Sequence, residues 1–206
     1  MKSFLLYYIT DRRQLGPASL EAVIRETLLA GVDMVQIREK DLAGRELMGL
    51  VEQALMLKAA SGGTRVVVND RLDVALAAGA DGAHLGTHSL PVEVVRRLAP
   101  PPFLLGVSCH SLHEAMAAES GGADYLVLGP VFETPSKLRY GPPLGLEKLR
   151  DVTSRISIPV LALGGITLER VRPCLEAGAA GIAGIRVFQD CESVRERVRE
   201  LRGQWK

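Results

Sequence analysis

The stretch Val35–Lys40, VQIREK, alternates with period two: Val35 and Ile37 fall on one side of an extended segment, and Gln36, Arg38 and Lys40 on the other. An apolar face of this kind suits a strand backed by helices. The opposite face gathers an amide and two cations near the strand's end, and charges are costly to bury without partners. Two readings are open on this hexapeptide: an anion site at a strand end, or a solvated strand end whose cations pair with Glu39 and Asp41.

Outward from this strand, short β-rich runs alternate with helical patterns along the chain. Strands are predicted over Phe4–Thr10, Met34–Arg38, Arg65–Asn69, Gly82–Leu85, Phe103–Val107, Tyr125–Leu128, Pro159–Leu163 and Gly181–Ile185. Helices are predicted over Ser19–Ala30, Arg45–Ala60, Arg71–Ala78, Pro91–Leu98, Ser111–Ser120, Leu144–Ser154, Thr167–Ala177 and Glu192–Arg202. Ser111, with Glu114 three residues on, is a capping signal. Nearly continuous apolar strands describe a parallel sheet covered on its outer face. Eight βα units close into a (β/α)8 TIM barrel, an α/β fold, here one domain over residues 1–206. A doubly wound open sheet would use fewer strands and a glycine fingerprint after the first, where Ile9-Thr10-Asp11-Arg12 has no glycine. The motifs AGVDMV, AGADGAH, GGADYL and AGAAGIA recur just before strands two, four, six and eight. Their glycines suit helix C-caps leading into strands, a structural role.

Composition narrows the function. A chain of 206 residues with 47% hydrophobic content fits one domain with a sizeable core and excludes disorder. Net charge is +1, which gives no sign of a nucleic-acid or membrane surface, so any anion binding must be local. The apolar part of MKSFLLYYITDRR is too short to span a bilayer and lacks a small-residue cleavage site, so the chain reads as cytoplasmic. Cys109, Cys174 and Cys191 are odd in number and without CxxC spacing, which argues against a disulfide framework or a structural zinc; reduced, partly buried thiols are expected. Exposed barrel faces leave homo-oligomer formation open.

In such a barrel, function lies on the loops at the C-terminal ends of the strands. Polar residues gather there: Thr10-Asp11, Gln36-Arg38-Lys40, Asn69-Asp70, Ser108-Cys109-His110, Thr134, Ser136-Lys137 and Gly164-Gly165. Asn69 and Asp70 have a simpler reading as caps of the next helix, and so do Ser108 and His110. His84 lies within a strand and reads as structural. Gly164-Gly165 would expose backbone N–H groups at the start of helix seven, where this architecture often holds phosphate. The long loop Gly129–Pro143 is of a length that is usually functional, and Thr134, Ser136 and Lys137 in it make an oxyanion-binding set, with a mobile lid as the alternative.

With these pieces in order, the chain resembles the thiamine phosphate synthase family and its relatives, the TenI-type thiazole tautomerases. The resemblance runs through YYITDR, VQIREK, VVVND, DGAHLG, LGVSCH, GPVFETPSK, ALGGI and GAAGIAGI, one short motif per strand end. It implies a TIM barrel that joins a hydroxymethylpyrimidine diphosphate to a thiazole phosphate, with magnesium as cofactor and two small phosphorylated molecules as partners. Carried over by motif, Arg38 and Lys40 would hold the diphosphate, with Ser108 and Lys137 also contacting it. Gln36 and Asn69 would orient the pyrimidine or the leaving group, and Asp70 would ligate magnesium. Thr134, Ser136 and Gly165 would hold the thiazole phosphate.

Three departures from the pattern stand out. The synthase motif after strand four is Gly-Gln-x-Asp, whereas this chain has Gly86-Thr87-His88-Ser89, and serine is a weak ligand for a hard cation. Arg186 replaces the serine of a small-residue turn after strand eight, where its planar fork could bind the thiazole phosphate or fill the pocket. Pro130 stands where the tautomerases carry a histidine. The resemblance thus implies a synthase first, with a tautomerase or a non-catalytic phosphate-ligand binder as alternatives.

Overall fold

Eight parallel strands close on themselves in sequence order in the computed structural model, which describes residues 5–16, 18–59, 63–134 and 142–205. The strands are β1 (Leu5–Ile9), β2 (Met34–Ile37), β3 (Arg65–Asn69), β4 (Gly82–Leu85), β5 (Leu104–Cys109), β6 (Tyr125–Leu128), β7 (Val160–Leu163) and β8 (Gly181–Gly184). The helices are α1 (Leu20–Leu29), α2 (Gly44–Lys58), α3 (Leu72–Ala78), α4 (Val92–Leu98), α5 (Leu112–Ser120), α6 (Gly145–Arg155), α7 (Leu168–Glu176), α8 (Arg186–Gln189) and α9 (Val194–Gly203). The fold is the expected TIM barrel. No described helix is long and apolar enough to cross a membrane.

Period-two alternation splits the strand side chains into two cores. Leu6, Val35, Val66, Leu105, Leu126 and Ile182 point outward and pack with Val23, Leu47, Leu149 and Val171 of the helices. Tyr7, Ile9, Met34, Val67, Tyr125, Val127, Leu161 and Ala183 fill the lumen. The lumen is a packed interior and not a channel.

Three details differ from the sequence reading. Strand β5 continues through Cys109, so Ser108 belongs to the strand and not to the loop after it, and its backbone pairs with Val127 of β6. Pro91 is the N-cap residue of α4 instead of its first helical residue. The short helix α8 stands between β8 and the final helix, and Arg186 is its first residue. The capping signal at α5 is present: Ser111 accepts from the Glu114 N–H, and the Glu114 carboxylate accepts from the His110 N–H.

The recurring Gly-x-Asp motif has a physical explanation. Gly31, Gly79, Gly122 and Gly178 all adopt positive φ after a helix, where a side chain would be strained. The residue two positions later then grips the preceding strand. Asp33 N–H donates to the Leu6 carbonyl while its carboxylate accepts from the Leu6 N–H; Asp81 does the same with Val66, and Asp124 with Leu105. Each carboxylate also meets a cation: Arg202 at 2.7 Å from Asp33, Lys58 at 2.5 Å from Asp81 and Arg96 at 2.5 Å from Asp124. At the fourth position Ala180 keeps the backbone bond to Val160 but has no carboxylate to offer. These clasps lie at the N-terminal ends of the strands, the face this architecture uses for stability.

The cysteines are free thiols, and burial pushes Cys109 and Cys174 up to about 12, so both are protonated and unreactive at neutral pH. Removing the best-buried clasp leaves the Val66 N–H without its carboxylate and breaks the ion pair to Lys58. Asp81→Ala is therefore expected to lower the unfolding free energy by about 1–3 kcal/mol in urea titrations, whereas Arg172→Ala, at an exposed helix pair, should shift it by about 0.5 kcal/mol or less.

Candidate active site

The polar residues singled out in the sequence sit at or just beyond the C-terminal ends of their strands. Gln36 lies in β2, with Arg38 and Lys40 just after it. Asn69 ends β3 and Asp70 follows. Ser108 is in the last turn of backbone pairing of β5. Thr134 lies in the loop after β6, Gly165 just after β7 and Arg186 just after β8. A closed parallel barrel brings all these ends to one rim. Ser136 and Lys137 lie outside the described residues.

Glu39 and Asp41, the carboxylates that flank the cations of VQIREK, have partners in another loop. Those carboxylates are taken by the loop after β1: Arg12 makes a two-pronged bond to Asp41, at 2.7 Å on each side, and a bond of 3.2 Å to Glu39, while Arg13 reaches Asp41 at 2.8 Å. The Arg12 guanidinium holds the Asp41 carboxyl below its usual range. Glu39 is buried and pinned by both the Arg12 backbone and its side chain. Arg38 has its nearest carboxylate at Asp11, 3.8 Å away, and its N–H donates to Thr10 Oγ1 at 2.8 Å. Its side chain thus stays half-buried at the rim, and Lys40 is exposed beside it.

Below the rim, a run of buried polar groups crosses the lumen. Gln36, 1% exposed, donates from Nε2 to the Tyr7 hydroxyl at 2.7 Å. The Tyr7 and Tyr125 hydroxyls are 3.0 Å apart, Tyr125 lies 3.3 Å from His84 Nδ1, and His84 Nε2 lies 2.9 Å from Ser108 Oγ. The Tyr125 ring occupies the space above Gly106, where a Cβ would come within 2.1 Å of it, so only glycine fits there. Burial, reinforced by the positive charge of Arg38, lowers the His84 pKa to about 3, so the ring is neutral at any working pH. Burial also raises both tyrosines well above their ordinary range.

Asn69 and Asp70 are not helix caps. The N-cap of α3 is Arg71, and no side chain closes it. Asp70 is the one non-glycine residue with positive φ, 63°, among those described, and its N–H donates to the His84 carbonyl. Such conformations are held by surrounding structure and gather at functional sites. The Ser89 hydroxyl, which also accepts from the Gly86 N–H, donates to Asp70 Oδ1 at 2.6 Å. No group of three or more His, Cys, Asp or Glu side chains that could hold a metal occurs among the described residues. One anchored carboxylate does not make a free-standing metal site. It does fit magnesium, which is often bound by one or two carboxylates together with waters and substrate phosphates.

The end of β7 is packed against the loop after β6. Val131 N–H donates to the Leu163 carbonyl and Phe132 N–H to the Gly164 carbonyl. A Cβ on Gly165, φ 63°, would come within 2.5 Å of the Glu133 carbonyl, so glycine is needed here for the loop's approach. Arg170 locks the turn by donating to the Gly165 carbonyl while lying over the Phe132 ring. The exposed Arg186 donates to Asp190 one helical turn on, at 2.6 Å.

Sequence reasoning missed Tyr7, Tyr125 and the part played by His84. The signal was present in the alternation, since Tyr7, Gln36, His84, Ser108 and Tyr125 all fall on the inward face of their strands. A polar group facing a packed lumen needs a partner.

A sequence model described as thiamine monophosphate synthase matches residues 6–188. A putative thiamine-phosphate synthase of Geobacter sulfurreducens is 48% identical over 198 residues, spanning 96% of this chain and 92% of the relative. The thiamine-phosphate synthase of a Roseiflexus species is 41% identical over 88% of this chain and 76% of its own. Among solved structures, thiamine phosphate pyrophosphorylase from Pyrococcus furiosus superposes with a TM-score of 0.87 at 39% identity, covering 98% of this chain and 95% of that one. A 3-hexulose-6-phosphate synthase, at TM-score 0.73 and 16% identity, shares the fold. With the rim geometry and these matches together, the chain belongs to the thiamine monophosphate synthase family.

Proposed function

We propose that this barrel is a thiamine-phosphate synthase: it condenses 4-amino-2-methyl-5-hydroxymethylpyrimidine diphosphate with a thiazole phosphate, or its carboxylate, to give thiamine phosphate and diphosphate. The observation that carries this reading is the match along nearly the whole chain to relatives bearing that name, the synthases of Roseiflexus and Syntrophomonas wolfei among them. A cytoplasmic location goes with it.

The C–O bond to the diphosphate breaks first, and its electron pair leaves on the diphosphate oxygen. The thiazole nitrogen then gives its lone pair to the pyrimidine methylene carbon, forming the new C–N bond. No enzyme nucleophile is needed, in keeping with the buried, protonated Cys109. Negative charge builds on the departing oxygens, so preorganised cations and donors aimed there lower the barrier. Arg38, Lys40 and Lys137 supply the charge, and Ser108 a hydroxyl. Asn69 and the buried Gln36 shape the pyrimidine end, while Thr134, Ser136, Gly165 and Arg186 take the thiazole phosphate. Asp70 would hold magnesium together with the diphosphate, and the ion would neutralise part of the leaving group's charge.

One observation favours a second reading. The Ser89 hydroxyl on Asp70 stands where the synthase pattern has a carboxylate, which suits a TenI-type tautomerase or a binder of phosphate ligands. Pro130 and the cation-rich rim weigh on the other side. Chromatography of a reaction with both phosphorylated precursors is expected to show thiamine phosphate formed only with magnesium and abolished by chelator. Chelator-insensitive isomerisation of a thiazole phosphate carboxylate, with no condensation, would replace the synthase by the tautomerase; heat of binding without turnover would point to the binder.

Removal of a charge that acts on the leaving group should cost far more than removal of a surface charge. Arg38→Ala and Lys137→Ala are each expected to lower kcat/KM by ~100-fold or more. Arg172→Ala, on an exposed helix face, is expected to leave it within about twofold. Unchanged kinetics in Arg38→Ala and Lys137→Ala would show that the anion cluster is misassigned.

A further inference from the structure

The buried run from Gln36 to Ser108 has a direction. An amide nitrogen can only donate, so the Tyr7 hydroxyl accepts from Gln36 and its own proton goes to its other partner, Tyr125. Tyr125, having accepted, points its proton at His84 Nδ1. That nitrogen must then be the unprotonated one, which places the ring proton on Nε2, facing Ser108 Oγ at 2.9 Å. Ser108 is left as an acceptor toward the barrel and a donor toward the rim.

We infer that His84 is a positioning residue for the condensation: protonated on Nε2, it donates to Ser108 Oγ and so turns the serine's own proton toward the diphosphate. The alternative tautomer would have the opposite effect. If Nε2 accepted, Ser108 would spend its single proton inside the barrel and present lone pairs to a polyanion. The choice of tautomer thus decides whether Ser108 attracts or repels the leaving group. It is set at the far side of the lumen, by an amide linked to Ser108 through two tyrosines and the imidazole. Because the charge on the leaving group grows as the C–O bond breaks, the gain falls mainly on kcat. This role rests on the synthase reading, which gives Ser108 its anion.

Two measurements test it. In wild-type protein carrying 15N-labelled histidine, a long-range 1H–15N correlation spectrum is expected to show His84 with Nε2 protonated and Nδ1 bare, assigned by the signal lost in His84→Gln. A ring protonated on Nδ1, alone or as imidazolium, overturns the inference, and this readout requires no variant to be active. In kinetics, His84→Gln keeps an amide near the Nε2 position and should retain kcat within about threefold, whereas His84→Asn, too short to reach Ser108, should lose ~10- to 100-fold, as Ser108→Ala does. In the Ser108→Ala background, His84→Asn should add almost nothing. Equal losses in the Gln and Asn variants, or losses that multiply in the double variant, would assign His84 a packing role instead. Absence of condensation by the wild-type enzyme would remove the synthase reading and this role with it, while a wrong tautomer in an active enzyme removes the role alone.

Discussion

A closed parallel barrel gives each strand side chain two destinations, the helices outside or the lumen within, and the lumen is narrow enough that whatever enters it must be filled and satisfied. Most of this barrel meets that constraint with Ile9, Met34, Val67, Val127 and Leu161. Five further inward positions hold a glutamine, two tyrosines, a histidine and a serine, which a packed interior would penalise if left separate. They are joined into one line of hydrogen bonds, so the cost of burying each is offset by its neighbour. The floor of the site is therefore rigid, and the groups at its two ends, Gln36 and Ser108, are oriented before any ligand arrives.

The fold was legible because it depends on local signals repeated eight times. Apolar strands, amphipathic helices and the Gly-x-Asp punctuation are each visible within a dozen residues. Much of the rim was legible too, because Arg38, Asn69, Asp70 and Ser108 stand at strand ends whose positions follow from the same count. What remained hidden depends on register and on contacts across the barrel. Nothing near Glu39 in the sequence reveals that Arg12, from the previous loop, will capture it. Nothing near His84 reveals that Tyr125, on a strand two places round, will face its ring. The glycine after β7 was read as room for an anion, but its missing side chain is first required by the Glu133 carbonyl of the adjacent loop.

The distribution of charge follows from the same geometry. With a net charge of +1 the molecule has no general attraction for anions, so a phosphorylated ligand must be drawn by local arrangement. Arg12 and Arg13 neutralise Glu39 and Asp41 in their own cluster, which removes those carboxylates from competition for the neighbouring cation. Arg38 is then opposed by Asp11 at 3.8 Å, beyond ordinary hydrogen-bond length. A loop that contributes no proposed ligand of its own thereby sets the positive field at the rim.

The two ends of the barrel divide the work in a way that single residues make visible. At the N-terminal ends, Asp33, Asp81 and Asp124 bind both backbone groups of a strand residue and a helix cation, so charge there is consumed by structure. At the C-terminal ends, Asp70 is held in a left-handed backbone conformation, and among the described residues its carboxylate is hydrogen-bonded by a serine hydroxyl, a weaker constraint that leaves a carboxylate at the surface of the site. Both arrangements begin from an aspartate beside a strand end. The difference is that the first is surrounded by donors the fold must satisfy, whereas the second lies where the strand's hydrogen bonding has run out and the next partner must come from solution. A site that binds phosphates from solution can be built only at the second kind of position, because at the first kind the protein has already supplied every counter-charge.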